Sequence, residues 1–384
     1  MRRLVVSKKR YDQPLFWSVI LLAVIGTIML YSSSSAISLT KTNGQTDAFY
    51  LYAHLKRLTI GFLFLVFFTF LDYRILKKFA PFLIFGAILL LAYTKGLYIL
   101  KESSSPARWL YFDSSSIQTS DIARIALIIY LAAFVTKKKH QLHDFYFGFF
   151  PPLLVISIIV GLIIWQPDFS TGIMLCIIGT TILFIGGARF IQLTAAGAVT
   201  ALITLPLMWA MPYSRTRILS WFTGNSDISD TGYQITQSLI SLGNGGIIGA
   251  GLGNSIAKNQ FLPTPHTDFI FAIIGEETGL IGAMILLTIF LVIFQRGIKI
   301  AKETTDSFGI ILAFGLSFSI ILYAFVNAAV VTNIFPVTGL PMPLISYGGS
   351  NLITNMIAFG ILLNISQSKR TVNHKQGWKP SFNG

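Results

Sequence analysis

Few side chains in this sequence could take part in a reaction, and they gather in short stretches. The densest is FLPTPHTDFIFAIIGEETGLIG, Phe261 to Gly282, which holds His266, Asp268, Glu276 and Glu277. Asp268 stands where a polar loop gives way to an apolar run. Its carboxylate suits two tasks. It could cap the helix that follows, where the helix dipole favours an anion, or it could act as a general base that takes a proton from a hydroxyl. A regular helix would set Glu276 and Glu277 about 12 Å deeper, at about 1.5 Å per residue. A second stretch, IQTSDIARIA, places Asp121 and Arg124 three apart, on one helical face and within pairing reach. Ala107-Arg108-Trp109 sets a guanidinium beside an aromatic ring, which suits a phosphate next to a sugar or apolar face, and equally an interfacial anchor. There is no GxxxxGK[ST], no HExxH and no Cys and His spacing for zinc. The glycines of GNGGIIGAGLG lack a preceding strand and read as tight turns in a loop.

The elements that must position these groups follow from composition. Of 384 residues, 53% are AVILMFWYC and 11% are charged, against roughly 25% charged in soluble domains. So few charges cannot cover a soluble surface, and the apolar residues fall in runs that can cross hydrocarbon about 30 Å thick. The sequence predicts an all-α polytopic integral membrane protein of about ten transmembrane helices, near 15–31, 58–71, 80–94, 120–135, 148–165, 171–187, 190–210, 269–294, 308–330 and 344–366. Residues 1–384 read as one membrane domain whose large extracytoplasmic loop, about 211–268, joins helices 7 and 8. The signal-like start reads as an uncleaved first helix because so many spans follow it.

The net charge of +14 would suit nucleic acid only as a single patch. With the N-terminus inside, 19 basic residues fall on inner segments and nine on outer ones. That bias puts both termini in the cytoplasm and excludes nucleic acid as a partner. The longer segments 32–57, 95–119 and 211–268 then face outward, where function is expected. Cys176 is the only cysteine, which rules out an intrachain disulfide. The last span opens PVTGLPMPLISYGGSNL; such a helix break is tolerated at membrane depth where it faces protein or a wet cavity, so a polar cleft opening outward is expected.

In order along the chain, GYQ-x-x-QSL from Gly232, GLGNS from Gly251, FLP-x-x-HTDFIFA, GEE-x-G-x-x-G from Gly275 and TGLPMPLISYGGS from Thr338 resemble the SEDS family (shape, elongation, division and sporulation). The resemblance covers nearly the whole chain and leans toward the family's division branch. It implies a peptidoglycan glycosyltransferase that polymerises lipid II into glycan strands, with the family's essential Asp falling on Asp268. It also implies substrate contacts at Arg108, Trp109, Gln118, Asp121 and Arg124, to which Arg215, His266, Glu277 and Ser346 are added as candidates. Departures bear on the phosphate contacts. The family's QPSE-x-x-K reads Gln118-Thr119-Ser120-Asp121-x-x-Arg124, its QPDLGT reads Gln166-Pro167-Asp168-Phe169-Ser170-Thr171, and Thr264 and Ser116 stand where relatives carry a Glu and a basic residue.

The implied chemistry needs no nucleotide, because the leaving pyrophosphate carries the activation. Asp268 would take the proton of the acceptor's 4-hydroxyl, while Arg108, Arg124, Arg215 or a divalent cation such as Mg would offset charge on the leaving group. Expected partners are a class B penicillin-binding protein (a transpeptidase) and other division proteins, in the bacterial cytoplasmic membrane at the division septum. Two other readings stay open: a lipid II flippase, for which Glu276 and Glu277 would line a path, and a non-catalytic scaffold of the division machinery.

Overall fold

The computed structural model describes residues 11–101, 108–112, 115–223, 230–258, 262 and 265–368. Thr264 and the basic residues at positions 1–10 and 369–384 lie outside them.

All ten expected spans are helical. α1 (Gln13–Lys41) starts where Asp12 accepts a hydrogen bond from Leu15 N, with Pro14 in the first turn. It runs on past the expected end at residue 31 because its serines return their hydroxyls to the helix: Ser33 to Leu30 O and Ser38 to Ser34 O. α2 (Phe49–Phe70) starts earlier than the expected 58. His54 and Arg57 break the hydropathy there, yet His54 is 1% exposed and turned into the protein. α3 (Arg74–Lys101) leads to a hairpin, β1 (Trp109–Phe112) against β2 (Ser115–Gln118), in which Trp109 faces Gln118. Then come α4 (Thr119–Lys138), a π turn (Phe145–Phe149) running into α5 (Phe150–Trp165), α6 (Phe169–Ile185) and α7 (Phe190–Ala210).

The expected loop 211–268 contains two helices, α8 (Pro212–Thr223) and α9 (Asp230–Gly245). α10 (Ile270–Glu303), α11 (Ser307–Val331) and α12 (Gly349–Ser366) complete the chain. The last span starts at Gly349 rather than 344, since residues 341–348 form turns with Leu344 at φ 61. Among the described residues nine helices are long and apolar enough to cross a membrane, and α6 is a shorter apolar tenth.

α4, α11 and α12 form the most enclosed part of the bundle, while α7 lies mostly exposed at its edge. The two chain ends share one end of the bundle. Asp12 N donates to Ser366 Oγ at 2.9 Å, and Arg296 of α10 grips the Asp12 carboxylate with Nε and Nη2. An even number of crossings accounts for this.

α10 is not continuous. Gly279 has φ 68 and ψ −171, which only glycine adopts readily. The glycine-rich segment 246–251 lies against the break: Ala250 N and Gly251 N donate to Glu276 O and Glu277 O, and Leu280 N and Ile281 N donate to Gly246 O and Ile247 O. A Cβ on Gly279 would come within 2.4 Å of Ile247 O, so the approach is backbone on backbone.

Candidate active site

Asp268 sits in the turn that leads into α10, but it does not cap that helix. Phe269 holds the N-cap position and no side chain bonds there. Among the described residues the Asp268 carboxylate accepts no hydrogen bond, whereas its backbone is fixed: Asn327 Nδ2 of α11 donates to Asp268 O and to Leu340 O, both at 2.8 Å. Gly339 faces the carboxylate with φ 70, and a Cβ there would stand 3.5 Å from Asp268 Oδ2 and 4.0 Å from Arg217 Nη1. Burial pushes the Asp268 carboxyl above the usual carboxylate range, Arg108 and Arg217 pull it back, and the charge on Asp168 adds to the upward push.

Next to this turn lies a cavity of about 310 Å³ bounded by α6, α7, α8, α11 and residues 335–340. Its floor is apolar, with Ile177, Met208, Ile218 and Val326 among the walls, and its head carries Arg108, Asp168 and Arg217. Arg217 Nη1 donates to Val337 O at 3.2 Å, and Arg108 Nη1 lies 3.9 Å from Asp168 Oδ1. Asp168 is itself held firmly, capping α6 through Thr171 N and accepting from Gln118 Nε2 at 3.1 Å. The arrangement can take hydrocarbon on its floor and anionic oxygens on its two guanidinium groups.

Behind Gln118 a buried polar chain runs into the bundle. Gln118 N donates to Ser350 Oγ, whose hydroxyl donates to Asp121 Oδ2 at 2.8 Å. Asp121 and Arg124 share a helix face as expected but form no direct ion pair. The link is Asn351 Nδ2 to Asp121, Asn355 Nδ2 to Asn351 Oδ1 at 2.8 Å, and Arg124 Nη2 to Asn355 Oδ1 at 3.2 Å. Arg124 also lies 4.6 Å over the Tyr323 ring. From Ser350 to Arg124 these groups are 0 to 5% exposed, so the network braces the start of α4, which Gln118 precedes, rather than meeting a ligand.

Of the other expected residues, Trp109 lies in the hairpin next to Arg108, while four stand away from the cavity. Arg215 is exposed, 5.2 Å over the Trp209 ring. Ser214, Arg217 and Ile218 form the inward face of α8, and Arg217 takes the place expected of Arg215; recognising 212–223 as a helix would have found it. His266 packs 4.6 Å from the Tyr50 ring; burial, then the Lys41 charge, holds its pKa down to about 4. Ser346 Oγ accepts from Met342 N at 2.8 Å and closes a turn. Glu277 pairs with Lys258 Nζ at 3.2 Å and accepts from Ser32 Oγ, while Glu276 receives Ser255 Oγ, Ile256 N and Ala257 N. These acids anchor the loop before Asp268. Among the described residues no three His, Cys, Asp or Glu side chains gather as metal ligands.

Fold and site together define a multi-pass helical membrane protein whose cavity suits an amphiphile with an anionic linkage. A family model described as Cell cycle protein, spanning FtsW, RodA and SpoVE, matches residues 13–371, and the chain belongs to this family. It is similar to the probable peptidoglycan glycosyltransferase FtsW of Geobacter metallireducens, at 36% identity over 93% of this chain and 95% of that one. It is also similar to stage V sporulation protein E of Bacillus subtilis, at 35% identity over 91% and 95% of the two chains. Its fold matches a chain in a solved peptidoglycan synthase complex at TM-score 0.75 and 24% identity, covering 93% of this chain and 97% of that one. It also matches Thermus thermophilus RodA at TM-score 0.66 and 22% identity, covering 94% and 97%. The all-α membrane fold and the family expected from the motifs are therefore those of the protein.

Proposed function

We propose that this protein is a peptidoglycan glycosyltransferase that polymerises lipid II at the outer face of the bacterial cytoplasmic membrane, during cell division. The observation that carries this reading is the Asp268 carboxylate, held in place by its backbone and accepting no hydrogen bond among the described residues, beside a cavity with an apolar floor and a cationic head. The donor's lipid chain lies on the floor and its pyrophosphate meets Arg108 and Arg217. The 4-hydroxyl of the acceptor N-acetylglucosamine attacks the anomeric carbon of the donor N-acetylmuramic acid. Its proton passes to Asp268, the anomeric C–O bond breaks, and lipid pyrophosphate leaves with its charge offset by the two arginines. A raised carboxyl pKa favours a base, since proton transfer is most efficient when the pKa lies near the working pH.

The basic-residue bias supports both termini in the cytoplasm and the Asp268 end of the bundle outside. Crosslinking of the product strands falls to a class B penicillin-binding protein, a partnership supported by the likeness to a chain in a synthase complex. The deciding experiment is polymerisation of purified lipid II in detergent, where nothing can be flipped, by wild type and by Asp268→Asn. Glycan made by the Asn variant at the wild-type rate would end the assignment of Asp268 as base; no glycan from wild type would end the enzymatic reading.

A further inference from the structure

The turn that carries Asp268 has a second set of neighbours. His266 packs against two tyrosines that also touch each other at 5.2 Å, lying 4.6 Å from the Tyr50 ring and 5.6 Å from the Tyr347 ring, and its carbonyl accepts from Tyr347 N at 2.8 Å. Arg57 stands 4.7 Å over the Tyr347 ring, and Lys41 Nζ lies 5.0 Å over Tyr50. His54 is three residues before Arg57 on α2, one helical turn away. A Cβ on Gly349 would stand 3.4 Å from Arg57 Nε, so that glycine makes room for the guanidinium.

Lys41, Arg57 and His266 thus meet around two tyrosine rings, with His54 one helical turn from Arg57, and no ion pair to any of the four is present among the described residues. Three of their nitrogens, His54 Nε2, Arg57 Nη1 and His266 Nδ1, are buried with no hydrogen-bond partner. His54 is 1% and His266 7% exposed. Buried polar atoms left without a partner are costly, and native proteins rarely tolerate several together. An anion with several acceptor oxygens takes hydrogen bonds from the Arg57 guanidinium and from a neutral imidazole N–H, and the ring faces cover a sugar or a hydrocarbon beside it.

The glycosyltransferase reading, on which this inference rests, requires such a place. Each coupling joins two lipid-linked pyrophosphates. One loses its pyrophosphate next to Arg108 and Arg217, while the other keeps its own and needs separate cations. We propose that Arg57, His54 and His266 form a second anion site, on the other side of the Asp268 turn, which holds the pyrophosphate of the acceptor substrate. The base then lies between the two substrates and next to the hydroxyl it must deprotonate.

Binding without turnover tests this. A polyprenyl pyrophosphate is titrated into the full-length chain in detergent, with stoichiometry read by native mass spectrometry and affinity by calorimetry. Wild type should bind two equivalents. Arg57→Gln should weaken one of them by about tenfold or more, as expected for losing hydrogen bonds from a charged group, and Arg217→Gln should weaken the other. Arg57→Lys should recover part of the loss. Phosphatidylglycerol at the same concentration should displace neither equivalent. If Arg57→Gln does not fold, His54→Asn must show the same selective loss. A single equivalent on wild type, two unchanged equivalents on the folded Arg57 or His54 variant, or displacement of the Arg57-dependent equivalent by phosphatidylglycerol overturns the proposal. Because no glycan is made in this assay, its outcome is independent of whether Asp268 is the base.

Discussion

Asp268 and the pair Glu276–Glu277 are carboxylates of one segment, and their surroundings are opposite. Glu276 and Glu277 are 1 to 2% exposed. Both Glu276 oxygens are occupied by Ser255 Oγ and the N–H groups of Ile256 and Ala257, while Glu277 Oε1 takes Ser255 N, Ser32 Oγ and Lys258 Nζ and its Oε2 is buried without a hydrogen-bond partner. Among the described residues the Asp268 carboxylate accepts no hydrogen bond, and Arg108 and Arg217 act on it through space. A buried carboxylate with this many partners is committed to holding structure, because removing one leaves a buried polar group unsatisfied. A carboxylate positioned by its backbone alone keeps its lone pairs for a proton. The contrast sets acids that hold structure beside one whose lone pairs the fold leaves free, without reference to motif.

The sharpest way to break the contrast is at Asp268. Asp268→Asn should lower glycan polymerisation by about 100- to 10,000-fold, the usual contribution of a general base, with thermal unfolding in detergent nearly unchanged. Glu277→Gln should do the reverse. It leaves Lys258 buried without its counter-charge, which costs about 3–5 kcal/mol, so the melting temperature should fall while the rate per folded molecule holds; an unaltered melting curve would return Glu277 to the candidates for chemistry.

A pH profile sharpens the role of the arginines. Only the ionised carboxylate can accept a proton, so the rate should fall as pH drops through the raised Asp268 pKa. Arg217→Gln removes a charge that lowers that pKa, so the acid limb should move to higher pH; a limb that moves down or stays would show that Arg217 does not act on Asp268. The smallest effects belong to two controls. Asp268→Ala should change stability by less than about 0.5 kcal/mol, since the side chain caps nothing, against about 0.5–2 kcal/mol for a true cap. Arg215→Gln, at an exposed residue that rests on Trp209, should leave polymerisation unaltered.

The spans were legible because hydrocarbon demands long apolar runs, and no other reading of those runs fits the composition. Their edges were less so. The start of α2 was obscured by His54 and Arg57, whose polarity is directed into the protein, and the end of α1 by serines that bond back to their own helix. Asp268, Arg108 and Gln118 were legible as candidates from their motifs, and they stand at or next to the cavity. Arg217 was not, because choosing it over Arg215 requires knowing that 212–223 is a helix with one inward face. The pairing expected for Asp121 and Arg124 followed from helical spacing, but the asparagines and serine that bridge them come from α12, more than 200 residues away. The role of Glu276 and Glu277 depended on a loop folding back onto a helix break, which local spacing does not reveal.

The length of α10 sets the level at which the protein works. Its part after the break at Gly279, residues 280–303, measures about 36 Å along the axis at about 1.5 Å each, against about 30 Å of hydrocarbon. Arg296, Lys299 and Lys302 mark where one end leaves the apolar layer. Counting back about 20 residues, enough to cross it, reaches the break at Gly279 and the Glu276–Glu277 pair, so Asp268, in the turn before the helix, stands beyond that crossing at the other face. A lipid-linked sugar of the proposed kind therefore meets Asp268 without being drawn down into the bilayer, and the thickness of the surrounding membrane becomes a control on the rate of the proposed reaction.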